Sequence, residues 1–383
     1  MSRRASPVPL DEKLGYEETD DEVYDKRWKN VRVQQHRLMD LFSQFKNYLL
    51  LIGIVLFLWN WVDNSAGGET VRSIRSNTQL YPADYVNNEY GMGDIATTTG
   101  IRSWWRGKPK VVIVLAANEG GGVLKWKNEQ EWAIEKVSIA NKLEYARRHG
   151  YGLILKDMTT AKRYSHEYRE GWQKADILME VMDEFPEAEW YWWLDLDTLI
   201  MEPSKSLEDH IFKRINSYTY RKLDVFNPLQ MQDDIPYVDY SQQMDLLVTQ
   251  DCGGFNLGSF LLRNSEWSKA LLDLWWDPIC YEQKHMIWEH REQDALETLY
   301  ANQPWIRSKV GFLPLRAINA FPPGACSEYS DDPQYFYEPN ARDFVVNMAG
   351  CQFGRDCWGE MKYYHNLKQK LNRSWLRKLF FFI

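Results

Sequence analysis

Only five cysteines occur in the 383 residues, Cys252, Cys280, Cys326, Cys351 and Cys357, and no two of them form a CxxC pair. Structural zinc cages are built from such pairs, so a zinc site is not expected. Basic surface is equally scarce on the main body. Lys and Arg number 46 against 54 Asp and Glu, a net charge of −8, and no basic patch interrupts the body. That argues against nucleic acid as a partner. No internal repeat or low-complexity tract stands out, and Asn372-Arg373-Ser374 is the one N-glycosylation sequon. Aromatics, by contrast, are abundant at 15%, with 18 tryptophans. Such side chains line carbohydrate clefts as well as cores, and the core is the commoner place for any one of them.

Residues 1–47 are polar and charged without a sustained apolar period, and read as a disordered tail. Residues 48–62, YLLLIGIVLFLWNWV, carry no charge. As a helix at ~1.5 Å per residue they reach about 22 Å, short for a ~30 Å hydrocarbon layer but suited to thinner secretory membranes. A buried soluble helix is the plainer alternative, weakened by the all-round apolar character. A cleaved signal peptide would not start so late. Trp59 and Trp61 stand where an interfacial belt belongs. Lys26, Arg27, Lys29, Arg32, Arg37 and Lys46 precede the run, while Arg72 and Arg75 are the near ones after it. The positive-inside rule then gives a type II signal anchor, with the tail cytosolic and the remainder lumenal. In a lumen some cysteines should pair. Cys351 and Cys357 are close enough for a local bridge, and an odd count leaves at least one thiol free or intermolecular. Residues 63–108, rich in Gly, Ser, Thr and Asn, read as a stem.

The body, 109–365, opens on KVVIVLAAN, Lys110 to Asn118, a continuous apolar run of the kind a buried strand shows. A glycine turn at Gly120–Gly122 should follow, then a helix of about twenty residues ending near Gly150. Ala133, Val137, Ala140, Leu143 and Ala146 would be its apolar face. GLILK reads as a second strand, 172–184 as a second helix and Glu189–Leu194 as a third strand. Strands alternating with helices predict an α/β fold with a parallel sheet and right-handed crossovers.

That third strand runs WYWWLDLDTLIMEP from Trp190, ending on Asp195 and Asp197. Residues i and i+2 of an extended segment point the same way, so both carboxylates face one point at the carboxyl end of a sheet, with Leu196 turned into packing. Two converging carboxylates repel unless a cation or a proton intervenes. A hard divalent ion resolves the conflict and typically also binds substrate phosphates. The alternatives are a solvated turn and a haloacid-dehalogenase-type DxDx[TV] motif. The latter fails at Leu199 and lies too deep in the body.

WYWWLDLDTLIMEPSKSLEDHIF resembles the signature of glycosyltransferase family 34, which includes fungal Golgi α-1,6-mannosyltransferases and plant xyloglucan xylosyltransferases. GGGVLKWKNEQEWAIEKVSIANKLEYARRHGY and KRYSHEYREGWQKADIL are more similar to the fungal mannan polymerase branch, and the resemblance spans Lys110–Tyr364. It implies a GT-A (Rossmann-like) fold, GDP-mannose as donor, Mn²⁺ with Mg²⁺ as the other fitting ion, and retention of anomeric configuration. An N-glycan mannose 6-hydroxyl would be the acceptor, the Golgi membrane the location, and other mannosyltransferase subunits the partners. A non-catalytic scaffold subunit of such a complex is the competing reading.

The resemblance also suggests roles. Lys174 of the W-x-K pattern opens a helix, and a lysine with a helix N-terminus favours a diphosphate; the plain alternative is a solvated lysine. Gly254, Asn256 and Gly258 match G-x-N-x-G and would, with Asp195, bind the donor sugar. From the residues alone, a bulged strand with turn glycines reads better. In HREQDALETLY, Glu292 is the first candidate for stabilising the cationic anomeric carbon, Asp294 the second, with Gln293 between them. Helix-start acids complementing the dipole are nearly as good a reading. Asn347 stands where relatives often have His as third metal ligand beside Asp195 and Asp197, and Gln352 where they have Lys. His290 and His365 are the substitutes to weigh. The end, 366–383, is basic and aromatic, suited to a partner, a membrane surface or a terminal core element.

Overall fold

The structure, a computed structural model, describes residues 108–117, 129–157, 170–284 and 286–372, and Ile54 alone before them. All but Ile54 belong to one compact unit, Thr70–Ile383, the other unit being Met1–Glu69. Apart from Ile54, the expected tail and anchor lie outside the described residues. So do the stem up to 107, the Gly120–Gly122 turn and the chain beyond 372. No helix among the described residues is long and apolar enough to cross a membrane.

The first half folds as the apolar pattern dictates. Strand β1 (Val111–Ala117), helix α1 (Glu129–His149), β2 (Gly152–Asp157), α2 (Gln173–Glu184) and β3 (Trp190–Leu194) follow in order, and β1, β2 and β3 pair in parallel. Every residue of β1 and β3 is buried, which is why neither alternates with polar residues. Helix α1 stops at Gly150, whose φ of 73° suits glycine and whose N–H reaches the Ala146 carbonyl at 2.8 Å.

Beyond β3 the sheet departs from the all-parallel expectation. Strand β4 (Thr198–Ile200) leaves it, then β5 (Leu246–Asp251) and β6 (Gly254–Arg263) form a hairpin. Two residues, Cys252 and Gly253, separate those strands, too few for a crossover, so β6 runs antiparallel to β5 and to β3. After helices α3 (Glu266–Trp275), α4 (Pro278–Lys284) and α5 (Glu292–Asn302), β7 (Val310–Leu313) pairs in parallel with β5. The sheet is mixed, in the order β2-β1-β3-β6-β5-β7. The reversal has a consequence for the site: the glycine-rich start of β6 lies at the carboxyl end of β3. After the short strand β8 (Pro323–Cys326), β9 (Val345–Asn347) pairs with β4 as a separate two-stranded ladder, Thr198 opposite Asn347, and helix α6 (Cys357–Leu371) closes the described chain.

Helix α1 buries Val137 and Ala146 of the expected stripe but leaves Ala133, Ala140 and Leu143 half-buried, and Ile134, Ile139 and Tyr145 are buried beside them. Ser138, Asn141 and Lys142 are buried as well, and they hold β4. The Asn141 amide donates to the Ile200 carbonyl at 2.9 Å and accepts from the Ile200 N–H at 2.8 Å, taking the place of a neighbouring strand. Lys142 Nζ donates to Ser138 Oγ at 2.6 Å and to the Thr198 carbonyl. Burial pushes this lysine down to about 7, against the pull of Asp197 and Asp195.

Two disulfides are present, Cys351–Cys357 as the spacing suggested and Cys252–Cys326 across 74 residues, leaving Cys280 as the free thiol. His210 is buried against Phe344. Its Nε2–H donates to the Ala317 carbonyl at 2.7 Å, and Nδ1 accepts from Arg214 at 3.3 Å. Burial, the largest effect, lowers its pKa from 6.5 to about 4. The folded state thus holds a neutral ring that the unfolded chain protonates below about 6.5. This contribution to stability is complete above that pH and lost as pH falls toward 4. Denaturant unfolding between pH 7.5 and 4.5 should show the wild type losing up to about 1.4 kcal/mol per pH unit more than His210→Asn.

Candidate functional site

A cavity of about 880 Å³ opens at the carboxyl end of β3. Its walls include Asp195 and Asp197 after β3, Lys174 from the first turn of α2, Gly258 from β6, Glu292 from α5 and Asn347 from β9. Elements far apart in sequence converge here because the hairpin start, two helix N-termini and the β4–β9 ladder share one end of the sheet.

The aspartates reach this cavity from a turn rather than from an extended strand. Thr198 N–H and Thr198 Oγ donate to the Asp195 carbonyl at 3.2 and 2.7 Å, closing the turn between β3 and β4. Leu196 packs into the core as expected, with an edge on the cavity. The tryptophan strand acts directly on the motif: Trp193 Nε1–H donates to Asp195 Oδ1 at 2.6 Å. Asp195 N–H continues the ladder to the Gly258 carbonyl at 2.8 Å. Asp197 is deeper. Burial first, and then the charge of Asp195, push its carboxyl up to about 7, with Lys174 and Lys142 acting in the opposite sense.

Lys174 is not solvated. Its ammonium lies 3.2 Å from Asp195 Oδ2 and 3.2 Å from Glu292 Oε1, donates to the Leu257 carbonyl at 3.0 Å, and sits 5.5 Å from the centre of the Trp193 ring. Asp195 first and Glu292 next raise its pKa against the cost of burial. One lysine thus joins the DxD aspartate to the first acid of α5. Glu292 follows Arg291, whose φ of 60° places a non-glycine residue in the left-handed region. Gly171 fits against its carboxylate, since a Cβ there would stand 2.3 Å from Oε2.

The remaining candidates divide. Gln293 lines the cavity and accepts the Leu257 N–H at 2.8 Å, bracing β6. Asp294 is off the wall; it accepts the His290 N–H at 2.9 Å and pairs with that ring at 3.4 Å, as the helix-start reading has it. Gly254 is also off the wall. Its φ of 121° and the 2.2 Å that would separate a Cβ from Glu297 Oε1 explain the glycine by backbone and packing, not by an approaching sugar. Gly258 lines the cavity, but a Cβ there would meet Asn347 Nδ2 at 2.3 Å, so it makes room for Asn347. The β-bulge lies in the pairing at Leu247–Thr249.

Asn347 ends a chain of amides. Asn256 Nδ2 donates to Asp251 Oδ2 at 2.7 Å, and Asn256 Oδ1 accepts from Gly258 N–H at 3.0 Å, which fixes that side chain's orientation. Asn319 Nδ2 then donates to Asn256 Oδ1 at 2.6 Å and to Thr249 Oγ at 3.0 Å. Asn347 Nδ2 donates to Asn319 Oδ1 at 2.8 Å. The order leaves Asn347 Oδ1, buried and 1% exposed as a residue, as an acceptor without a donor among the described residues. A buried carbonyl of this kind is costly unless a donor or cation meets it. Two carboxylates and this oxygen form an all-oxygen set that fits a hard divalent ion. Histidine does not complete the set: His290 lines the cavity but faces Asp294, and His365 on α6 contacts Gln369. Among the described residues no group of three His, Cys, Asp or Glu is arranged to hold a metal.

Sequence reasoning missed Asn319, Asp251, Lys142 and the Trp193 contact. Asn319 carries no local signal, because it ends a one-turn helix in LRAINAF and meets its partners only in space. The spacing of Trp193 and Asp195 held a clue, since both share a face by the same i, i+2 rule applied to the aspartates.

The model of the galactosyl transferase GMA12/MNN10 family matches residues 107–358. The chain is 60% identical over 351 residues to the Saccharomyces cerevisiae protein named "Probable alpha-1,6-mannosyltransferase MNN10", covering 88% of each chain. It is 48% identical over 272 residues to an uncharacterized alpha-1,2-galactosyltransferase of Schizosaccharomyces pombe, covering 70% of this chain and 78% of the relative. Among solved structures, a glycosyltransferase involved in glycosylation of the major capsid of PBCV-1 is 15% identical at a TM-score of 0.43, over 68% of this chain and 100% of that one. That likeness is too loose to place any residue.

Proposed function

The chain belongs to the galactosyl transferase GMA12/MNN10 family, and from that premise we propose that it is a retaining, metal-dependent α-1,6-mannosyltransferase. Its donor would be GDP-mannose and its acceptor a mannose 6-hydroxyl of N-glycan mannan. The observation that carries the chemistry is that Asp195, Asp197 and Asn347 line one cavity, and that the buried side-chain carbonyl of Asn347 accepts no hydrogen bond among the described residues. These three would hold Mn²⁺ or Mg²⁺, and the ion, when bound, supplies Lewis acidity toward the diphosphate of the donor. The mannosyl assignment follows the more similar of the two relatives.

The chain's own residues have separate tasks. Trp193 and Lys174 pin Asp195 from both oxygens, so it meets a charged ligand already oriented. Glu292, with Lys174 moderating its charge, offers a carboxylate toward the positive anomeric carbon. Gln293 and Asn256 brace β6, so the donor sugar meets a stiff wall. A GT-A assignment for the mixed sheet belongs to the same reading. So do a Golgi type II anchor over residues 48–62 and membership of a mannan polymerase complex. Two disulfides in the body agree with a lumenal setting.

A scaffold subunit is the second reading, favoured by one observation: Lys174 ties Asp195 and Glu292 to each other. The detergent-solubilised full chain, given GDP-mannose, manganese and α-mannose oligosaccharides, decides between them. Manganese-dependent transfer that creates 6-linked mannose supports the enzyme. No transfer and no donor hydrolysis supports the scaffold, and transfer from a galactose donor alone refutes the mannosyl assignment.

Asn319 tests the ligand set from behind. Asn319→Ala releases the Asn347 amide, and calorimetric titration should show manganese binding weakened by about 10–100-fold, the usual effect of losing a partner behind a metal ligand.

A further inference from the structure

A second cleft of about 490 Å³ shares its wall with the first. Phe321 and Gly324 line the large cavity, while Pro322 and Pro323 between them line the small one. The same alternation recurs at Arg355, on the large cavity, and Asp356, on the small. Arg355 bonds both oxygens of Glu360, another residue of the small cleft, at 2.8 and 3.0 Å. The Arg355–Glu360 ion pair thus links the lining of one cavity to that of the other. The wall is rigid there, because the Cys351–Cys357 disulfide clips the loop that carries Arg355 and Asp356. At the lip of the large cavity the same loop holds Phe353, 79% exposed.

The lining of the small cleft selects its ligand. Tyr363 is 59% exposed, and Tyr364 packs edge-on against both Tyr363 and Tyr337, at 5.0 and 5.4 Å between ring centres. Pro322, Pro323 and Pro339 add flat apolar faces, and Asp356 and Glu360 add carboxylates. Among the described residues no Lys, Arg or His lines it, which disfavours phosphates and other anions. The carboxylates disfavour a purely apolar guest. A neutral ligand with C–H faces for rings and hydroxyls for carboxylates satisfies both demands, and that is a pyranose.

We infer that this cleft is a distal subsite for the acceptor glycan, holding hexose units beyond the one that reacts in the large cavity. The inference rests on the transferase reading for what occupies the large cavity. Its test is direct binding, without donor or metal, of mannose and of an α-linked mannopentaose to the full chain in detergent, followed by saturation-transfer NMR titration. The pentaose should bind about tenfold more tightly than mannose, the order of effect one stacked ring gives. Tyr363→Ala should bring that ratio to about one, and Tyr363→Phe should keep it. Equal affinities in the wild type, or a ratio unchanged in Tyr363→Ala, would overturn the inference. Because neither donor nor metal is used, length-dependent binding by a chain that transfers nothing would refute the transferase reading and leave the subsite standing.

Discussion

Asp197→Asn is expected to lower mannosyl transfer by about a thousandfold or more while the folded protein stays at least as stable as the wild type. The two halves of this expectation have one cause. Asp197 is a buried carboxylate disfavoured by its surroundings, first by lost hydration and then by Asp195. An isosteric amide removes that conflict and fits the same space, and the turn keeps its backbone bonds, including Met348 N–H to the Asp197 carbonyl at 2.9 Å. What disappears is a negative charge that Lys174 and Lys142 offset only in part and that a bound cation would use. Losing preorganised electrostatic stabilisation of a departing diphosphate accounts for an effect of that order. Steady-state transfer assays and urea unfolding at pH 7.5 check both halves. A variant that unfolds easily would mean that the carboxylate serves the fold.

Lys174→Met should do the opposite to stability. The ammonium is buried and compensates two carboxylates, Asp195 and Glu292, whose side chains are 34% and 10% exposed. Removing one partner of a buried ion pair typically costs about 3–5 kcal/mol, because a charge is left uncompensated. Solvent at Asp195 moves the expected loss toward about 3 kcal/mol. Adding Glu292→Gln should recover part of it, since one of the stranded charges is then gone. Urea midpoints for the two single variants and the double variant give the coupling. On the proposed function, activity should fall in all three, as each loses a group assigned to orient Asp195 or to stabilise the anomeric carbon. If Lys174→Met is neutral in stability, the lysine is not the clamp described above.

The legible part of this protein was the part written in contiguous residues. Continuous apolar runs gave β1 and β3 because both strands are buried on two faces, and Gly150 gave the end of α1. The motif at Asp195 and Asp197 was readable as two carboxylates brought to one place, and both line the large cavity, although the geometry that delivers them is a turn. Antiparallel β6 was hidden because nothing in GGFNLGSF states which neighbour it joins. The two-residue link to β5 was the available clue. Gly254 and Gly258 were read as openings for a sugar, whereas their missing side chains make room for Glu297 and Asn347. Glycine marks a close approach without saying by what. Glu292 was placed ahead of Asp294 among the helix-start acids, and the fold separates them by turning Asp294 toward His290 and Glu292 toward Lys174. The amide chain through Asn319 joins four segments and could not be found locally.

The central claim is that Asp195, Asp197 and the Asn347 carbonyl hold one divalent ion for a nucleotide-sugar diphosphate. Calorimetric titration of the full chain with manganese, with and without GDP, tests it most directly. The account predicts one manganese per chain, bound more tightly when GDP is present, and loss of both signals in Asp197→Asn. Manganese binding that is unchanged in Asp197→Asn and indifferent to GDP would contradict it.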